Sequence, residues 1–247
     1  MRPIITLTTD FGTADGYVGE MKGVLLSLSP DAEVVDITHD IPPQDVDRGR
    51  LTMARVWRRF PHGTTHLVVI DPGVGSNRAA LALQSDGRFL VGPDNGVLSP
   101  ALLVAGARAV ELPLPPRSSA TFHGRDVFAP AAAALARGES IDSLGRVAAS
   151  PVVLRTPEPI RRADGSIEGE VIVLDRFGNA VTNLVGLRGG TIELGNRRIA
   201  VRRTYSEVAS GEAVAVTGST GFIEIAVRDG DAARGLCVHR GDKVVLR

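Results

Sequence analysis

Two aspartates each come directly after a run of apolar and β-branched residues, which is the pattern of a buried strand. Asp10 follows the run that begins at Ile4, and Asp71 follows the run from His66 to Ile70. Ligands of α/β proteins bind at the carboxyl ends of strands, so both carboxylates stand where they could act on a substrate. A carboxylate in the position of Asp10 is a good acceptor for vicinal hydroxyls such as those of a ribose.

The loop that begins at Asp71 can fold Arg78 back onto this aspartate. Gly73 and Gly75 let its backbone approach a ligand closely, but no Gly-Lys-Ser/Thr follows as it does in a phosphate-binding loop. An ion pair between Asp71 and Arg78 could be structural or could belong to an active site. Both interpretations stay open, because structural ion pairs are about as common as functional ones.

A histidine, an arginine and an aspartate precede a helix predicted over 127–136, in the segment Thr-Phe-His-Gly-Arg-Asp at 121–126. Asp126 is predicted to cap this helix, as Asp15 is predicted to cap the helix that starts near Tyr17. A lone histidine is more often structural than catalytic. His123 is therefore a catalytic candidate only if the fold brings it to Asp71.

Two further polar segments each have two interpretations. His39 and Asp40 could be metal ligands, but we favour a loop stiffened by prolines, with Asp45 capping the next helix. In the segment 175–179, Phe177 beside a carboxylate and an amide could stack on a purine and bind its edge. The alternative is a β-turn with a phenylalanine in the core.

The elements that must position these residues change in character along the chain. Strand-like and helix-like segments alternate over 1–150, which predicts an α/β domain with a mostly parallel sheet. Prolines mark a linker at about 151–166. Short strands separated by glycine-containing turns then fill 167–247, which predicts a smaller all-β barrel or sandwich.

Composition limits the partners and the location. The 247 residues carry 28 Lys and Arg against 28 Asp and Glu, so no broad charged surface for nucleic acid or an anionic membrane is expected. The single cysteine, Cys237, excludes an intrachain disulfide and is predicted to be buried. No signal-peptide or membrane-spanning segment is recognised, and a cytoplasmic location is the expectation.

Six segments taken together are far more specific than any one of them. In chain order they are TTDFGTADGYVGEMKG, DITHDIPPQDV, HLVVIDPGVGS, VGPDNGVL, TFHGRDVFAP and DRFGNAVTNL. This set resembles the S-adenosyl-L-methionine (SAM) hydrolases that form adenosine, also called SAM hydroxide adenosyltransferases, which are related to fluorinase and chlorinase. The resemblance covers essentially the whole chain. It implies an α/β domain followed by a β-barrel, and a homotrimer with active sites between the N-domain of one subunit and the C-domain of its neighbour.

The resemblance also implies a role for individual residues. Asp71, Arg78 and His123 match the set that marks the hydrolases. In the halogenases a tyrosine and a serine stand where this chain has Asp71 and Gly124, so halogenation is not expected. The expected substrate contacts are Asp10 with the ribose, Asp15 near the methionine amine, Thr121 and Phe122 from the histidine segment, Asp175, Phe177 and Asn179 with methionine and adenine, and Ser219 near the substrate amino acid. Arg228 is a departure, because relatives more often carry asparagine there.

The implied reaction is attack of water on C5′ of SAM, giving adenosine and L-methionine without a metal or other cofactor. Asp71 and His123 would hold the water and accept its proton, and the sequence does not decide between them. Two alternatives stay open. One is a metal-dependent hydrolase that uses Asp10, His39, Asp40 and Asp71, and the other is a non-catalytic sensor of SAM or adenosine.

Overall fold

The computed structural model describes residues 2–186 and 189–247. The chain forms two compact units that divide between Arg155 and Thr156, inside the segment 151–166 that the prolines mark. Across the described ranges, no helix is both long enough and apolar enough to cross a membrane.

The first unit contains a seven-stranded sheet with helices between its strands. Its elements are β1 (Ile4–Thr9), α1 (Tyr17–Leu28), β2 (Glu33–Thr38), α2 (Val46–Val56), β3 (Thr65–Val69), β4 (Ala80–Ser85), β5 (Arg88–Pro93), α3 (Ser99–Leu102), β6 (Arg108–Glu111), α4 (Ala129–Ala136), α5 (Ile141–Leu144) and β7 (Arg146–Val147). The strand order is β2-β1-β3-β5-β4-β6-β7. Strands β2, β1, β3 and β5 are mutually parallel, whereas β4 is antiparallel to both β5 and β6. The predicted α/β domain with a mostly parallel sheet is confirmed.

Both faces of this sheet are covered, which explains why its central strands are apolar without interruption. On one face, Leu67 and Val69 belong to a buried cluster with Met21 of α1 and the alanines of α4. On the other face, Val68 and Ile70 pack in a cluster with Met53 of α2 and with Trp57. The central strands are thereby held from both sides, and their carboxyl ends are fixed in place.

The second unit is a small barrel. Its elements are β8 (Ile160–Arg161), β9 (Ile167–Leu174), β10 (Ala180–Val185), β11 (Thr191–Leu194), β12 (Arg197–Arg202), β13 (Ala213–Thr217), β14 (Phe222–Val227), α6 (Ala232–Gly235) and β15 (Lys243–Leu246). Seven strands close in the order β9-β10-β14-β13-β12-β11-β15, and β15 returns to β9. Among the described strands, β8 pairs with β9 alone. Of the barrel and the sandwich that the sequence left open, the barrel is confirmed.

Three local predictions were wrong and one is confirmed. Asp45 does cap α2, since its Oδ1 accepts the backbone N–H of Arg48 at 2.9 Å. Asp15 is not a cap, because α1 begins after Gly16 without a side-chain hydrogen bond. Asp126 lies inside a π-helical turn, Gly124–Phe128, where it cannot cap α4. Cys237 is exposed, because the chain leaves α6 with this residue at a φ of 55° rather than entering a buried strand.

Candidate active site

Parallel strands bring the predicted carboxylates to one edge of the sheet. Thr9 is the register partner of Val69, so Asp10 and Asp71 follow two neighbouring strands at the same edge. Asn95, just beyond β5, donates from Nδ2 to the carbonyl oxygen of Ile70 at 2.8 Å. This contact fixes the chain immediately before Asp71.

Asp71 and Arg78 form a bidentate ion pair. Arg78 Nε donates to Asp71 Oδ1 at 3.0 Å, and Nη2 donates to Oδ2. Only 5% of the Asp71 side chain and 8% of the Arg78 side chain are exposed, and the guanidinium also lies 5.2 Å from the ring centroid of Phe128. Two parallel charge-assisted hydrogen bonds away from water hold the carboxylate in one orientation.

A close approach of two loops brings His123 to this pair. Gly75 has a φ of 77°, and a Cβ there would collide with the carbonyl oxygen of Ala120, so only glycine fits between the loop 72–78 and the segment 119–123. Arg78 Nη2 then reaches Nδ1 of His123 at 2.7 Å. Arg78 therefore bridges Asp71 and His123, and the three residues that the resemblance marks as a catalytic set lie together.

The contact with Arg78 decides the protonation of His123. A guanidinium only donates hydrogen bonds, so Nδ1 of His123 must accept and the ring proton must sit on Nε2. Burial lowers the pKa of His123, and the charge of Arg78 lowers it further, against the opposing carboxylates of Asp71 and Asp126. His123 is a neutral hydrogen-bond donor at Nε2, and its acceptor nitrogen is already occupied.

Asp10 has different surroundings. Its Oδ2 accepts the backbone N–H of Gln44 at 2.8 Å. The backbone of Gln44 has a left-handed φ of 67°, which residues other than glycine rarely adopt. Burial raises the pKa of Asp10; the Gln44 N–H opposes this, and the negative charge of Asp71 adds to it. Gln44 carried no signal in the sequence, because nothing local predicts a non-glycine residue in this conformation.

Aromatic rings surround the histidine segment on one side. The ring of buried Phe122 lies 5.2 Å from Tyr17 and 5.9 Å from Phe11, measured between centroids. The Arg125 guanidinium lies 5.1 Å from the same ring. Phe11 and Tyr17 were not singled out as site residues from the sequence; their place beside Phe122 became visible only once the two segments met.

The other predicted substrate contacts of the first unit are solvent-accessible. Thr121 is exposed, with its hydroxyl 3.2 Å from that of Ser119. Asp15 is exposed in the turn before α1.

At Gly124 there is little room for a side chain, because a Cβ would lie 3.2 Å from Met21 Sδ and 3.3 Å from Phe122 Cε2.

In the second unit, the β9–β10 turn presents its aromatic ring outward. Asp175 Oδ1 accepts the backbone N–H groups of Phe177 and Asn179 at 2.8 and 2.9 Å, and Oδ2 accepts from Asn179 Nδ2 at 3.0 Å. The Phe177 ring is 75% exposed, so the alternative of a core phenylalanine was wrong.

Ser219 is exposed in the β13–β14 turn, and Arg228 donates to the carbonyl oxygen of Val208 at 2.7 Å.

The four residues of the metal alternative do not form a ligand set. His39 Nδ1 lies 2.8 Å from Thr9 Oγ1 and its Nε2 lies 3.1 Å from Asp36 Oδ1, so both ring nitrogens face other groups. Over residues 2–186 and 189–247, no three His, Cys, Asp or Glu side chains cluster in a way that could hold a metal ion.

Comparison with known proteins identifies the family of the chain. Residues 5–145 match the SAM hydroxide adenosyltransferase N-terminal domain, and residues 169–245 match the C-terminal domain of the same family. The chain belongs to the SAM hydroxide adenosyltransferase family. A relative from Thermus thermophilus, named (R)-S-adenosyl-L-methionine hydrolase, is 42% identical over 100% of both chains.

Two further similarities show how widely the SAM hydroxide adenosyltransferase fold is shared. The crystal structure of an uncharacterized conserved protein from Thermotoga maritima is 34% identical, with a TM-score of 0.89 over 98% of this chain and 99% of that one. A fluorinase from Nocardia brasiliensis is 30% identical over 74% of this chain and 71% of its own length. The resemblance that the six segments carried is thus confirmed, whereas the roles of individual side chains stay predictions.

Proposed function

We propose that this protein hydrolyses SAM by attack of water on C5′, releasing adenosine and L-methionine. The observation that carries the proposal is the buried contact of Asp71, Arg78 and His123 at the end of β3, in a chain that belongs to the SAM hydroxide adenosyltransferase family. Because the Thermus thermophilus relative is named for the (R) form, we propose the same configuration at the sulfonium.

The charges of the site suit a cationic substrate. Asp10 and Asp71 contribute two negative charges when ionised, and Arg78 contributes one positive charge. The site then carries one net negative charge, which the positive sulfonium can neutralise. A hydroxide-like nucleophile and a sulfonium lose their charges as they react. The transition state is therefore less polar than the ground state, and a site from which water is excluded favours it.

The bonding changes balance without a further reactant. The water oxygen forms a bond to C5′ while the bond from C5′ to sulfur breaks. The electron pair of the broken bond stays on sulfur, and methionine leaves as a neutral thioether. The water proton has to go to a base. His123 holds its own proton on Nε2 and accepts from Arg78 at Nδ1, so we assign the proton to Asp71, whose carboxylate oxygens have further lone pairs.

His123 then serves as a donor rather than a base. Its Nε2–H can hold the oxygen of the attacking water, while the two hydrogen bonds from Arg78 keep the Asp71 carboxylate in a fixed orientation. Asp10 would bind the ribose hydroxyls, and Phe122 would pack against the substrate with Thr121 beside it. Asp15, close to the start of α1, would lie near the methionine amine.

We further propose a homotrimer in which the second unit of a neighbouring subunit completes each site. The exposed Phe177 ring, held outward by Asp175 and Asn179, is available to stack on adenine, and Ser219 would lie near the substrate amino acid. Mixing Asp71→Asn with Phe177→Ala subunits tests this. In randomly mixed trimers, about a quarter of the shared sites should combine an intact Asp71 from one subunit with an intact Phe177 from its neighbour, so activity should return on mixing. If each site were formed within a single subunit, every site would lack one of the two residues and the mixture would stay inactive.

No metal or other cofactor takes part in the proposed reaction, because loss of charge in the transition state replaces activation by a Lewis acid. The competing proposal of a non-catalytic sensor predicts binding without turnover. The cytoplasmic location also stays a prediction, for which cell fractionation is the check.

Incubation with each sulfonium diastereomer of SAM in ¹⁸O-labelled water is the deciding experiment. We expect adenosine and methionine from the (R) form, with the label in the 5′-hydroxyl of adenosine. Release of free adenine would contradict attack at C5′, and binding without any product would favour the sensor.

A further inference from the structure

The loop between β2 and α2 contacts the Asp10 segment at three points. The Gln44 N–H donates to the Asp10 carboxylate at 2.8 Å. The carbonyl oxygen of His39 accepts the backbone N–H of Gly12, also at 2.8 Å. The third contact joins the His39 ring to Thr9 Oγ1 at 2.8 Å. His39 therefore holds the chain on both sides of Asp10, at residue 9 with its side chain and at residue 12 with its backbone.

The direction of each hydrogen bond follows from the donors present. Asp36 Oδ1 faces Nε2 of His39 and only accepts, so Nδ1 of the neutral ring accepts the hydroxyl hydrogen of Thr9, whose Oγ1 also accepts the backbone N–H of Phe11 at 3.3 Å. Nε2 of His39 then carries the ring proton and faces Asp36 Oδ1 at 3.1 Å. Asp36 is in turn held by Lys22 Nζ at 2.6 Å. A continuous chain of contacts runs from α1, through β2, to the end of β1.

We infer that His39 is a positioning residue for substrate binding, which acts by fixing the backbone on either side of Asp10 so that its carboxylate meets the ribose. The inference rests on the proposed function, which assigns the ribose to Asp10. His39 is only 6% exposed and its ring is turned toward Thr9 and Asp36, so it acts through Asp10. Its loss should weaken SAM binding and leave the attack on C5′ largely unchanged.

The chain offers a matched control. Thr6 Oγ1 and His66 Nδ1 form a second buried threonine–histidine contact at 2.7 Å, joining β1 to β3 three residues earlier in β1. This pair resembles the first in chemistry and burial but lies away from the strand end. A variant of His66 reports what loss of such a contact does to the fold alone.

Two substitutions separate the two sides of the His39 ring. The Asn side chain places its amide near the position of Nδ1, so His39→Asn can keep the contact with Thr9. The Gln side chain reaches the position of Nε2, so His39→Gln can keep only the contact with Asp36. We expect His39→Gln to raise the KM for SAM about tenfold with kcat within about twofold, and His39→Asn to stay within about threefold of the parent KM.

Measurement of KM, kcat, calorimetric Kd for SAM and Tm for the three histidine variants tests the inference. His66→Gln should lower Tm without changing KM. The inference is overturned if His39→Gln binds SAM like the parent, if His66→Gln raises KM as much as His39→Gln, or if His39→Asn is as impaired as His39→Gln. A parent protein that does not hydrolyse SAM would instead refute the proposed function, while calorimetry would still report on His39.

Discussion

The substitution Asp71→Asn removes one negative charge and almost no volume, at the residue to which we assign the water proton. Its two consequences, on stability and on rate, arise from different contacts and can be measured separately. The stability effect comes from Arg78, whose charge stays buried without its carboxylate. The rate effect comes from the loss of the proton acceptor.

The expected loss of stability follows from the burial of the pair. Removing one partner of a buried ion pair costs about 3–5 kcal/mol, and the amide oxygen of the substituted side chain would still accept one of the two hydrogen bonds, so we expect about 3 kcal/mol. Each kcal/mol lowers Tm by about 2–4 °C in a chain of this size. The variant should therefore melt about 6–12 °C below the parent.

A matched control is the same substitution at an exposed pair. Asp142 pairs with Arg108, and each side chain is 56% exposed, so Asp142→Asn should cost only about 0–1 kcal/mol. Its kcat and KM should equal those of the parent. Asp142→Asn shows what losing an Arg–Asp pair does when the pair lies outside the site.

The rate is measured well below the Tm of the variant, with adenosine release as the assay. Loss of a general base lowers kcat by about 10²–10⁴-fold, while the Kd for SAM should rise by a much smaller factor, because Asp71 acts on the water and contributes only its charge to the binding of the sulfonium. The remaining rate should rise about tenfold per pH unit, since hydroxide then has to supply the nucleophile. A folded Asp71→Asn with near-parent kcat, or a remaining rate independent of pH, would refute the assignment.

Three other predictions test the rest of the site. Asp10→Asn can still accept the Gln44 N–H but binds hydroxyls less strongly, so steady-state kinetics should show KM rising more than kcat falls. Activity should persist in EDTA; a loss on chelation that a divalent ion restores would favour the metal-dependent alternative. The pKa of His123 is lowered from 6.5, so the unfolded chain binds its proton first as pH falls and the native state loses stability below about pH 6.5. In Tm measured against pH, His123→Asn should show a smaller loss than the parent over that range.

Much of the scaffold was predictable because the signals are local. The apolar run before Asp71 is buried on both faces of the sheet, as an uninterrupted run in a parallel strand predicts. Asp45 caps α2 because a side chain before a helix needs only the next turn as its partner. The carboxylates after β1 and β3 share an edge because parallel strands leave them no other arrangement.

The contacts that define the site were harder to predict, because they join distant parts of the chain. Arg78 and His123 are 45 residues apart, and they meet only because Gly75 lets one loop press against the other. Gln44 reaches Asp10 through a left-handed conformation that its residue type disfavours. Asp126 resembled a helix cap in sequence, yet its carboxylate accepts the N–H of Ser119 at 2.7 Å and pairs with Arg125. In each case a contact outside the local pattern overrode a local preference.

The two carboxylates at the strand ends have different surroundings, and the proposed function assigns them different roles. Asp10 is half-buried and accepts the backbone N–H of Gln44, and its carboxylate has further lone pairs that the hydroxyls of a substrate could use. Asp71 is nearly enclosed and bound twice by Arg78, which suits a group that must stay in one orientation toward a reacting water. The loop that carries His39 and Gln44 shapes the first environment, and the loop that carries Gly75 and Arg78 shapes the second. Because separate loops set the two environments, the proposed roles in substrate binding and proton transfer should respond to substitution independently, with changes at Asp10 acting mainly on KM and changes at Asp71 mainly on kcat.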